Sequence, residues 1–339
     1  MKICFIAGQK NSGKCGITDY VDLLAQKLET QGHTIEKIFL KNCFDDLPNL
    51  PSADLYSIQF APYAFATNGM PTGVLRYLAQ GLKKKKVHLN IHEIWIAAYP
   101  RAKWKEKIIG WLQKRLILRF IKKIKPTLIT SSNAAAIDRL NNKHVSAKFL
   151  YLFGNIPFSP SSKVIVTDEI FKVALFGTPY SNFPYHRLID FLTDLSNASK
   201  RVIEITLIGR QRGNSGKKRL INLCKENAIL INVTGELTND LISQQLQSCS
   251  LGVSTTPYDI IGKSGATAAM LEHGLPILAY DDGDTPQKSL FIMEQFKDQL
   301  YFLDDDSSVK KLLQTIEKTK KTFFDGVAYT AKKMLEIDH

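Results

Sequence analysis

The fold is decided by the stretch Met1–Leu40, which reads MKICFIAGQKNSGKCGITDYVDLLAQKLETQGHTIEKIFL. Lys2–Ala7 is a short apolar run typical of a buried strand, and Tyr20–Gln31 carries apolar residues at helical spacing. Gly32 ends that helix, and Thr34–Leu40 is predicted to be the next strand. A strand, a helix and a second strand in this order predict a parallel sheet covered by helices.

The same alternation continues along the chain in two series, separated by the polar linker Pro157–Ser162. The other predicted strands are Leu55–Phe60, Val87–Ile91, Thr127–Thr130, Val173–Phe176, Ile203–Ile208, Leu230–Val233, Leu251–Ser254 and Ile277–Tyr280. We therefore expect an α/β protein with two facing Rossmann-like domains, residues 1–155 and 156–310, each built on a parallel sheet. Residues 311–339 belong to a helix predicted from Ser308 to Glu336, which is expected to pack back toward the first domain.

The composition is that of a globular protein with a basic excess. Of 339 residues, 44% are apolar and 23% are charged, and a length above about 300 residues predicts two domains. No run approaches the roughly 18 apolar residues of a membrane span. The five cysteines follow neither a disulfide framework nor a zinc pattern, which indicates a cytoplasmic protein. The net charge of +13 favours polyanionic partners such as nucleic acid, an acidic membrane or phosphorylated substrates.

The loop after the first strand, Gly8–Cys15, has the spacing GxxxxGK of a phosphate-binding P-loop. In that motif a Ser or Thr follows the lysine, and its hydroxyl binds Mg²⁺. Here Cys15 occupies the position, and a thiol is a poor ligand for a hard cation. A P-loop NTPase or kinase is one hypothesis that stays open. The alternative is a glycine-rich loop in which Lys14 has no such role.

A series of short motifs also follows one order along residues 1–285. The motifs are Cys15-Gly16-Ile17-Thr18-Asp19-Tyr20, Gln59–Phe65, His92–Trp95, Asn155–Pro157, Leu175–Gly177, Leu207–Arg210, Thr234–Leu237, Gly262–Gly265 and His273–Pro276. Together they resemble GT-B glycosyltransferases, in particular the retaining, nucleotide-sugar-dependent group like glycosyltransferase family 4. The resemblance implies a hexosyltransferase that moves a sugar from a UDP- or GDP-linked donor to a hydroxyl of a saccharide or lipid-linked acceptor. It also implies retention, a role in polysaccharide or glycolipid assembly, and no required cofactor or metal.

The sequence departs from this group at one place. Its members usually carry two glutamates eight positions apart, the second of them five residues before the glycine of a GxP turn. Counting back from Gly274 gives Ala269 and Ile261, and neither is acidic. The loop instead contains Lys263-Ser264-Gly265. This departure keeps another hypothesis open, a catalytically silent GT-B-like scaffold that binds membranes or partners.

The donor site is expected in the second domain, in loops that follow strands. Lys263-Ser264-Gly265-Ala266 opens a helix of small residues, whose first N–H groups suit a diphosphate together with the lysine charge. The alternative is an ordinary helix start that Ser264 caps. The other donor-binding candidates are Gly16, Gly177 and Gly209 for close backbone approach, His186, Arg187 and Arg210 for phosphate, and Glu272 for a ribose hydroxyl.

The first domain is expected to supply the acceptor side and the catalytic residues. His92 ends a predicted strand, where the resemblance implies a residue that contacts the transferred sugar. An inverting mechanism would need Asp19 or Glu93 as general base, whereas in a retaining mechanism the leaving phosphate takes the proton. A simple helix-dipole role is the alternative for Asp19. Tyr63 and Trp95 are the candidates for acceptor contacts.

The basic excess concentrates in segment 101–125, which interleaves ten cations with apolar residues such as Trp104 and Trp111. This pattern suits peripheral binding to an anionic membrane, at the inner face of that membrane. The alternative is a domain helix with its apolar stripe in the core. No nucleic-acid-binding module is recognisable, so no nucleic-acid partner is expected. Asp282-Gly283-Asp284 resembles the metal-binding triplet of a different glycosyltransferase fold, but its position predicts a turn.

Overall fold

The computed structural model describes residues 1–8, 16–41, 48–97, 103–160, 169–209, 215–281, 294–305, 307–318 and 321–336. The chain divides into two compact units. The first contains Met1–Tyr151 and the segment from Val327 onward, and the second contains Leu152–Gly326. Each unit holds a six-stranded parallel sheet with helices around it. The expected α/β fold with two Rossmann-like domains is therefore confirmed.

In the first unit the sheet has the strand order β2-β1-β3-β4-β5-β6. Its strands are β1 (Lys2–Gly8), β2 (Thr34–Leu40), β3 (Leu55–Phe60), β4 (Val87–Ile91), β5 (Leu128–Ser131) and β6 (Lys148–Phe149). Its helices are α1 (Gly16–Thr30), α2 (Pro62–Phe65), α3 (Thr72–Gly81), α4 (Trp104–Ile124) and α5 (Ala134–Asn141). β3 and β4 are buried along their whole length, as parallel strands covered on both faces should be.

In the second unit the strand order is β12-β11-β10-β7-β8-β9. Its strands are β7 (Ile170–Phe176), β8 (Val202–Ile208), β9 (Leu230–Gly235), β10 (Leu251–Val253), β11 (Ile277–Ala279) and β12 (Leu300–Phe302). Its helices are α6 (Tyr185–Ser199), α7 (Ser215–Glu226), α8 (Asn239–Ser248), α9 (Gly265–Glu272) and α10 (Ser308–Lys318), with 3-10 helices at Tyr258–Lys263 and Glu294–Gln299. The core packs Phe171, Val173 and Leu175 of β7 against Leu188 and Leu192 of α6.

Each sheet has one point at which the order of its strands reverses. In the first unit β2 lies on one side of β1 and β3 on the other, and in the second unit β8 and β10 flank β7 in the same way. At such a switch point the loops leaving the two central strands diverge, which opens a crevice beyond the carboxyl ends of the strands. The crevice in the second unit therefore lies beyond β7 and β10.

The structure differs from the sequence-based expectation at the C-terminal end. A single helix was expected from Ser308 to Glu336, but two are present, α10 and then α11 (Gly326–Leu335). α10 belongs to the second unit, because Leu312 is buried in that unit's core and Val309, Leu313 and Ile316 pack against it. From Val327 onward, α11 is grouped with the first unit. Among the residues described, no helix combines the length and apolar character needed to cross a bilayer.

Candidate functional site

The crevice in the second unit is formed by the start of α9 and the loop after β7. Gly177 follows that strand with φ +100°, and a Cβ added there would lie 3.1 Å from the Cβ of Ala266. The hydroxyl of Thr255, just beyond β10, donates to the carbonyl of Thr178 at 2.8 Å. The loops that leave β7 and β10 are thus joined, and the N-terminus of α9 lies against them.

Ser264 is the N-cap of α9, which was the alternative interpretation of this loop. Its backbone is extended, and its Oγ accepts from the backbone N–H of Thr267 at 3.1 Å. The hydroxyl of Thr267 is in turn 2.9 Å from the hydroxyl of Ser254 at the end of β10, which fixes the helix start against the sheet. This cap uses the third N–H of the helix. The N–H groups of Gly265 and Ala266 lie in the first turn, where a helix offers no acceptor of its own.

The space beside Gly265 is open, since a Cβ built there would meet no atom within 4 Å. Lys263 is exposed and ends the 3-10 helix that leads into the cap. The positive end of the helix dipole and two N–H groups therefore lie beside an open space, and the exposed Lys263 stands two residues before Gly265. This combination suits a bound phosphate or diphosphate.

A second glycine predicted for the donor site follows β8. Gly209 has φ +89°, a backbone conformation that side chains disfavour, and its N–H donates to Thr234 Oγ1 at 3.2 Å. Arg210 lies outside the described residues, as do residues 9–15 of the predicted P-loop and the triplet Asp282-Gly283-Asp284. Within the described part of the chain, no group of three or more His, Cys, Asp or Glu residues could hold a metal ion.

Glu272 does not lie where a ribose contact was expected. It is the last residue of α9, seven residues and about 10 Å along the helix from Gly265. Its side chain is only 3% exposed, and Oε1 accepts from the N–H of Gly154 at 3.0 Å. A Cβ added to Gly326 would overlap the same oxygen. The Glu272 side chain therefore holds the segment at Gly154 in place, and its close approach leaves no room for a side chain at position 326.

The two basic residues of α6, predicted as a phosphate clamp, both lie in its first turn, and their role stays a prediction. Arg187 Nη1 is paired with Asp304 Oδ1 at 2.7 Å, in the segment just after β12. His186 is exposed in the first turn of α6. Among the described residues, no contact of either side chain places it at the start of α9.

In the first unit, His92 follows β4 and is half-buried at the end of a chain of buried polar side chains. Gln59 Nε2 donates to Ser57 Oγ at 2.7 Å, and Asn90 Nδ2 donates to Gln59 Oε1 at 2.9 Å. Gln59 Oε1 is also 2.8 Å from His92 Nε2. Asn90 Nδ2 lies farther from the same nitrogen, at 3.3 Å. Because an amide oxygen can only accept, the shorter contact with Gln59 puts the proton of a neutral His92 on Nε2 and leaves Nδ1 as its basic nitrogen.

His88 and Thr130 close this series of hydrogen-bonded side chains into a ring. Thr130 Oγ1 donates to Asn90 Oδ1 at 3.0 Å and therefore accepts from His88 Nε2 at 2.8 Å. His88 Nδ1 then accepts from Ser57 Oγ at 3.0 Å. Every hydroxyl in this ring donates once and accepts once. The residues of the polar ring, Ser57, Gln59, His88, Asn90 and Thr130, are all buried, and the ring holds His92 in one orientation.

The other candidates of the first unit differ in how exposed they are to solvent. Asp19 is half-buried in the first turn of α1, where its charge interacts favourably with the helix dipole. Glu93 and Tyr63 are exposed, and Gly16 opens α1 beside open space. Trp95 is only 8% exposed, and the Lys114 ammonium lies 5.7 Å from the centre of its ring. Its burial leaves little of the ring for an acceptor.

The polar ring predicts a pH dependence of stability. Burial, and secondarily the charge of His92, lowers the pKa of His88 to about 3, whereas an unfolded histidine titrates near 6.5. Between these values the unfolded chain binds a proton that the folded chain excludes. The free energy of unfolding should therefore decrease as the pH falls below about 6.5, by up to about 1.4 kcal/mol per pH unit for this one proton.

His88→Gln should remove this part of the slope, measured by urea unfolding at a series of pH values. His144→Asn is the matched control, because His144 is exposed and has a left-handed backbone that asparagine tolerates. It should keep the wild-type slope. An unchanged slope in His88→Gln would show that His88 does not stay neutral in the folded protein.

No protein-family model and no curated protein sequence matches the chain, but solved structures match it along nearly its whole length. HepE of Anabaena, in complex with UDP and glucose, is 15% identical with a TM-score of 0.55, covering 98% of this chain and 94% of its own. Sucrose-phosphate synthase from Thermosynechococcus elongatus is 11% identical with a TM-score of 0.57 and the same coverage. UDP-GlcNAc 2-epimerase from Methanocaldococcus jannaschii is 12% identical with a TM-score of 0.52, covering 99% of both chains. These likenesses show that the chain shares the two-domain Rossmann-like fold of those proteins.

Proposed function

We propose that this protein is a glycosyltransferase that moves a sugar from a UDP-linked donor to a hydroxyl of a saccharide or lipid-linked acceptor. The observation that carries the proposal is the capped N-terminus of α9 beside the open space at Gly265, in the crevice beyond β7 and β10. The fold is shared with HepE, which has been solved with UDP and with UDP-glucose. We further propose retention of configuration and a role in polysaccharide or glycolipid assembly, as the sequence motifs imply.

In this proposal the second unit binds the diphosphate group of the UDP-linked donor. The N–H groups of Gly265 and Ala266 would donate to its oxygens, and Lys263 would neutralise part of the charge that develops on the leaving phosphate. Gly177 and Gly209 would let the backbone approach the nucleotide closely. Helix dipole, N–H groups and lysine together supply the stabilisation that a metal ion gives in other enzymes, so no metal is required.

The first unit would provide the group that contacts the transferred sugar. His92 is the candidate, since the polar ring fixes its tautomer and leaves Nδ1 as the basic nitrogen. In a retaining reaction the leaving phosphate accepts the acceptor's proton, and the protein needs only to position the reactants. For an inverting reaction, half-buried Asp19 or exposed Glu93 would serve as general base.

The first experiment measures the thermal unfolding of the protein with UDP, UDP-sugars and nucleoside triphosphates, with and without Mg²⁺. A ligand at 100 times its dissociation constant stabilises the folded state by about 2.7 kcal/mol. A metal-independent shift with UDP, followed by UDP release when acceptors are added, is the expected result. A shift only with ATP or GTP and Mg²⁺ would support the P-loop hypothesis, which the comparisons do not favour. No shift would support a silent scaffold.

Lys263→Ala should weaken UDP binding about tenfold, because an exposed ammonium contributes a modest, salt-dependent attraction to a diphosphate. Titration calorimetry at low and high salt would measure the dissociation constant, and the difference between the two proteins should shrink at high salt. Lys310→Ala is the matched control, since Lys310 is exposed on α10 of the same unit. Equal affinities of the two variants would contradict the assigned role of Lys263.

A further inference from the structure

The outer face of α4 exposes large apolar side chains in its N-terminal half. The inner face packs into the first unit through residues that include Gln113, Ile117 and Phe120. At 3.6 residues per turn, the opposite face carries four apolar residues on one stripe. They are Trp104, Ile108, Trp111 and Leu112, with exposed fractions of 67%, 51%, 52% and 41%. Only part of the apolar residues in segment 101–125 therefore lie in the core of the first unit, and the others are exposed.

The C-terminal half of the same outer face is cationic. Arg115, Arg119, Lys122 and Lys123 continue the stripe and are exposed. The Arg115 guanidinium lies 4.4 Å from the centre of the Trp111 ring, so the apolar and cationic halves meet there. Residues 103–125 contain nine Lys and Arg and one acidic residue, Glu106, a net charge of 9 − 1 = +8. Glu106 accepts from the backbone N–H of Lys103 at 3.0 Å and so serves the start of the helix.

An open cavity of about 620 Å³ adjoins the end of α4 and extends the cationic region. Four lysines line it, Lys122, Lys125, Lys143 and Lys148, around a floor that includes Leu118 and Leu128. No carboxylate is among the lining residues. Desolvation, and then the nearby charge of Lys143, lowers the pKa of Lys114. The cationic region thus includes Lys114, in the middle of α4, and the nearby Lys143.

We propose that the outer face of α4 and the adjoining cavity bind an anionic lipid surface. The helix lies parallel to the membrane with Trp104, Ile108, Trp111 and Leu112 in the headgroup region, where tryptophan is favoured. The cations of its second half and of the cavity contact the anionic headgroups. A purely polyanionic partner would leave the apolar half exposed, and a neutral protein partner would leave the charge uncompensated. This inference concerns the first unit alone and goes beyond the proposed glycosyl transfer.

The test is co-sedimentation of the full chain with vesicles of phosphatidylcholine alone or mixed with phosphatidylglycerol, without any nucleotide. We expect binding to the mixed vesicles, little binding to phosphatidylcholine, and a blue shift of tryptophan fluorescence on binding. Trp104→Ser with Trp111→Ser, and separately Arg119→Gln with Lys122→Gln and Lys123→Gln, should each weaken binding at least about tenfold. These residues are exposed, so the variants should fold, which circular dichroism checks.

Matched controls lie in the second unit. Leu230→Ser removes an exposed apolar side chain, and Lys218→Gln removes an exposed cation, so both should bind vesicles as the wild type does. Equal binding to neutral vesicles, no vesicle binding, or unchanged binding of the tryptophan variant would each overturn the proposal. Binding to heparin that survives loss of both tryptophans, without vesicle binding, would assign the face to a soluble polyanion. None of these results bears on UDP binding.

Discussion

Replacing Gly265 by aspartate should weaken UDP binding at least about 100-fold while leaving the fold intact. Gly265 is the first residue of α9, and a side chain added there points into open space. An acidic residue in the first turn of a helix interacts favourably with the helix dipole, so the variant should fold at least as well as the wild type. The new carboxylate would occupy the space proposed for the diphosphate and repel it.

The magnitude follows from Coulomb's law. Two unit charges 4 Å apart near a protein surface repel by about 4 kcal/mol at an effective dielectric constant of 20. Screening by salt reduces this at an open site, and the 100-fold loss corresponds to about 2.7 kcal/mol. Loss of space for the diphosphate adds to the effect.

Gly265→Ala is the matched control, because it adds a Cβ without charge where no atom lies within 4 Å. It should bind UDP within about threefold of the wild type, since neither the helix dipole nor the backbone N–H groups change. Titration calorimetry measures the affinities, and circular dichroism measures the melting temperatures of both variants. Wild-type affinity in Gly265→Asp would place the nucleotide elsewhere and remove the main support for the proposed donor site.

The order of long strands and helices could be predicted from the sequence because each has a strong local pattern. Ten strands were predicted, among them the three-residue strands β10 and β11, which lie inside their sheet. β6 and β12 were missed. Each ends its sheet and is defined by the single neighbour it pairs with. The break between α10 and α11 was also missed. The apolar face of α10 packs into the core of the second unit. The sequence of an amphipathic helix shows that it has an apolar face, but it does not show which of the two domains that face packs against.

In the proposed donor loop, the helix start and its N-cap could be predicted, because Ser264 stands directly before a helix of small residues. The positions of Glu272 and Arg187 could not be. Glu272 bonds to Gly154, 118 residues away, and Arg187 bonds to Asp304, 117 residues away. Pairings over such distances depend on how the strands order within the sheet, which short motifs do not encode.

The polar ring of the first unit was missed although the sequence holds a signal for it. Ser57 and Gln59 lie two residues apart on β3. His88 and Asn90 follow the same spacing on β4, and His92 continues it just beyond the strand. A period of two places each set on one face of its strand. Polar residues at this period inside a buried parallel strand need hydrogen-bond partners within the protein, and the nearest candidates are the polar residues at the same level of the neighbouring strand. That signal could have grouped them with His92.

Gln59→Leu should destabilise the first unit by about 3 kcal/mol and lower the turnover of the proposed enzyme about tenfold. The leucine removes the acceptor shared by Asn90 Nδ2 and His92 Nε2, and it removes the donor to Ser57. Asn90 is buried, so its amide cannot turn to water instead, and His92 loses the bond that fixes its tautomer. The dissociation constant of UDP should not change, because the proposed donor site lies in the second unit.

Urea unfolding measures the loss of stability, and release of UDP in the presence of an acceptor measures turnover. Gln26→Leu makes the same chemical change at an exposed position of α1, so it should alter the free energy of unfolding by less than about 0.5 kcal/mol. A stable Gln59→Leu variant would show that the ring is not a connected hydrogen-bond network. Lost stability with full turnover would show that the network supports the fold alone, because the orientation of His92 would then be irrelevant to the reaction.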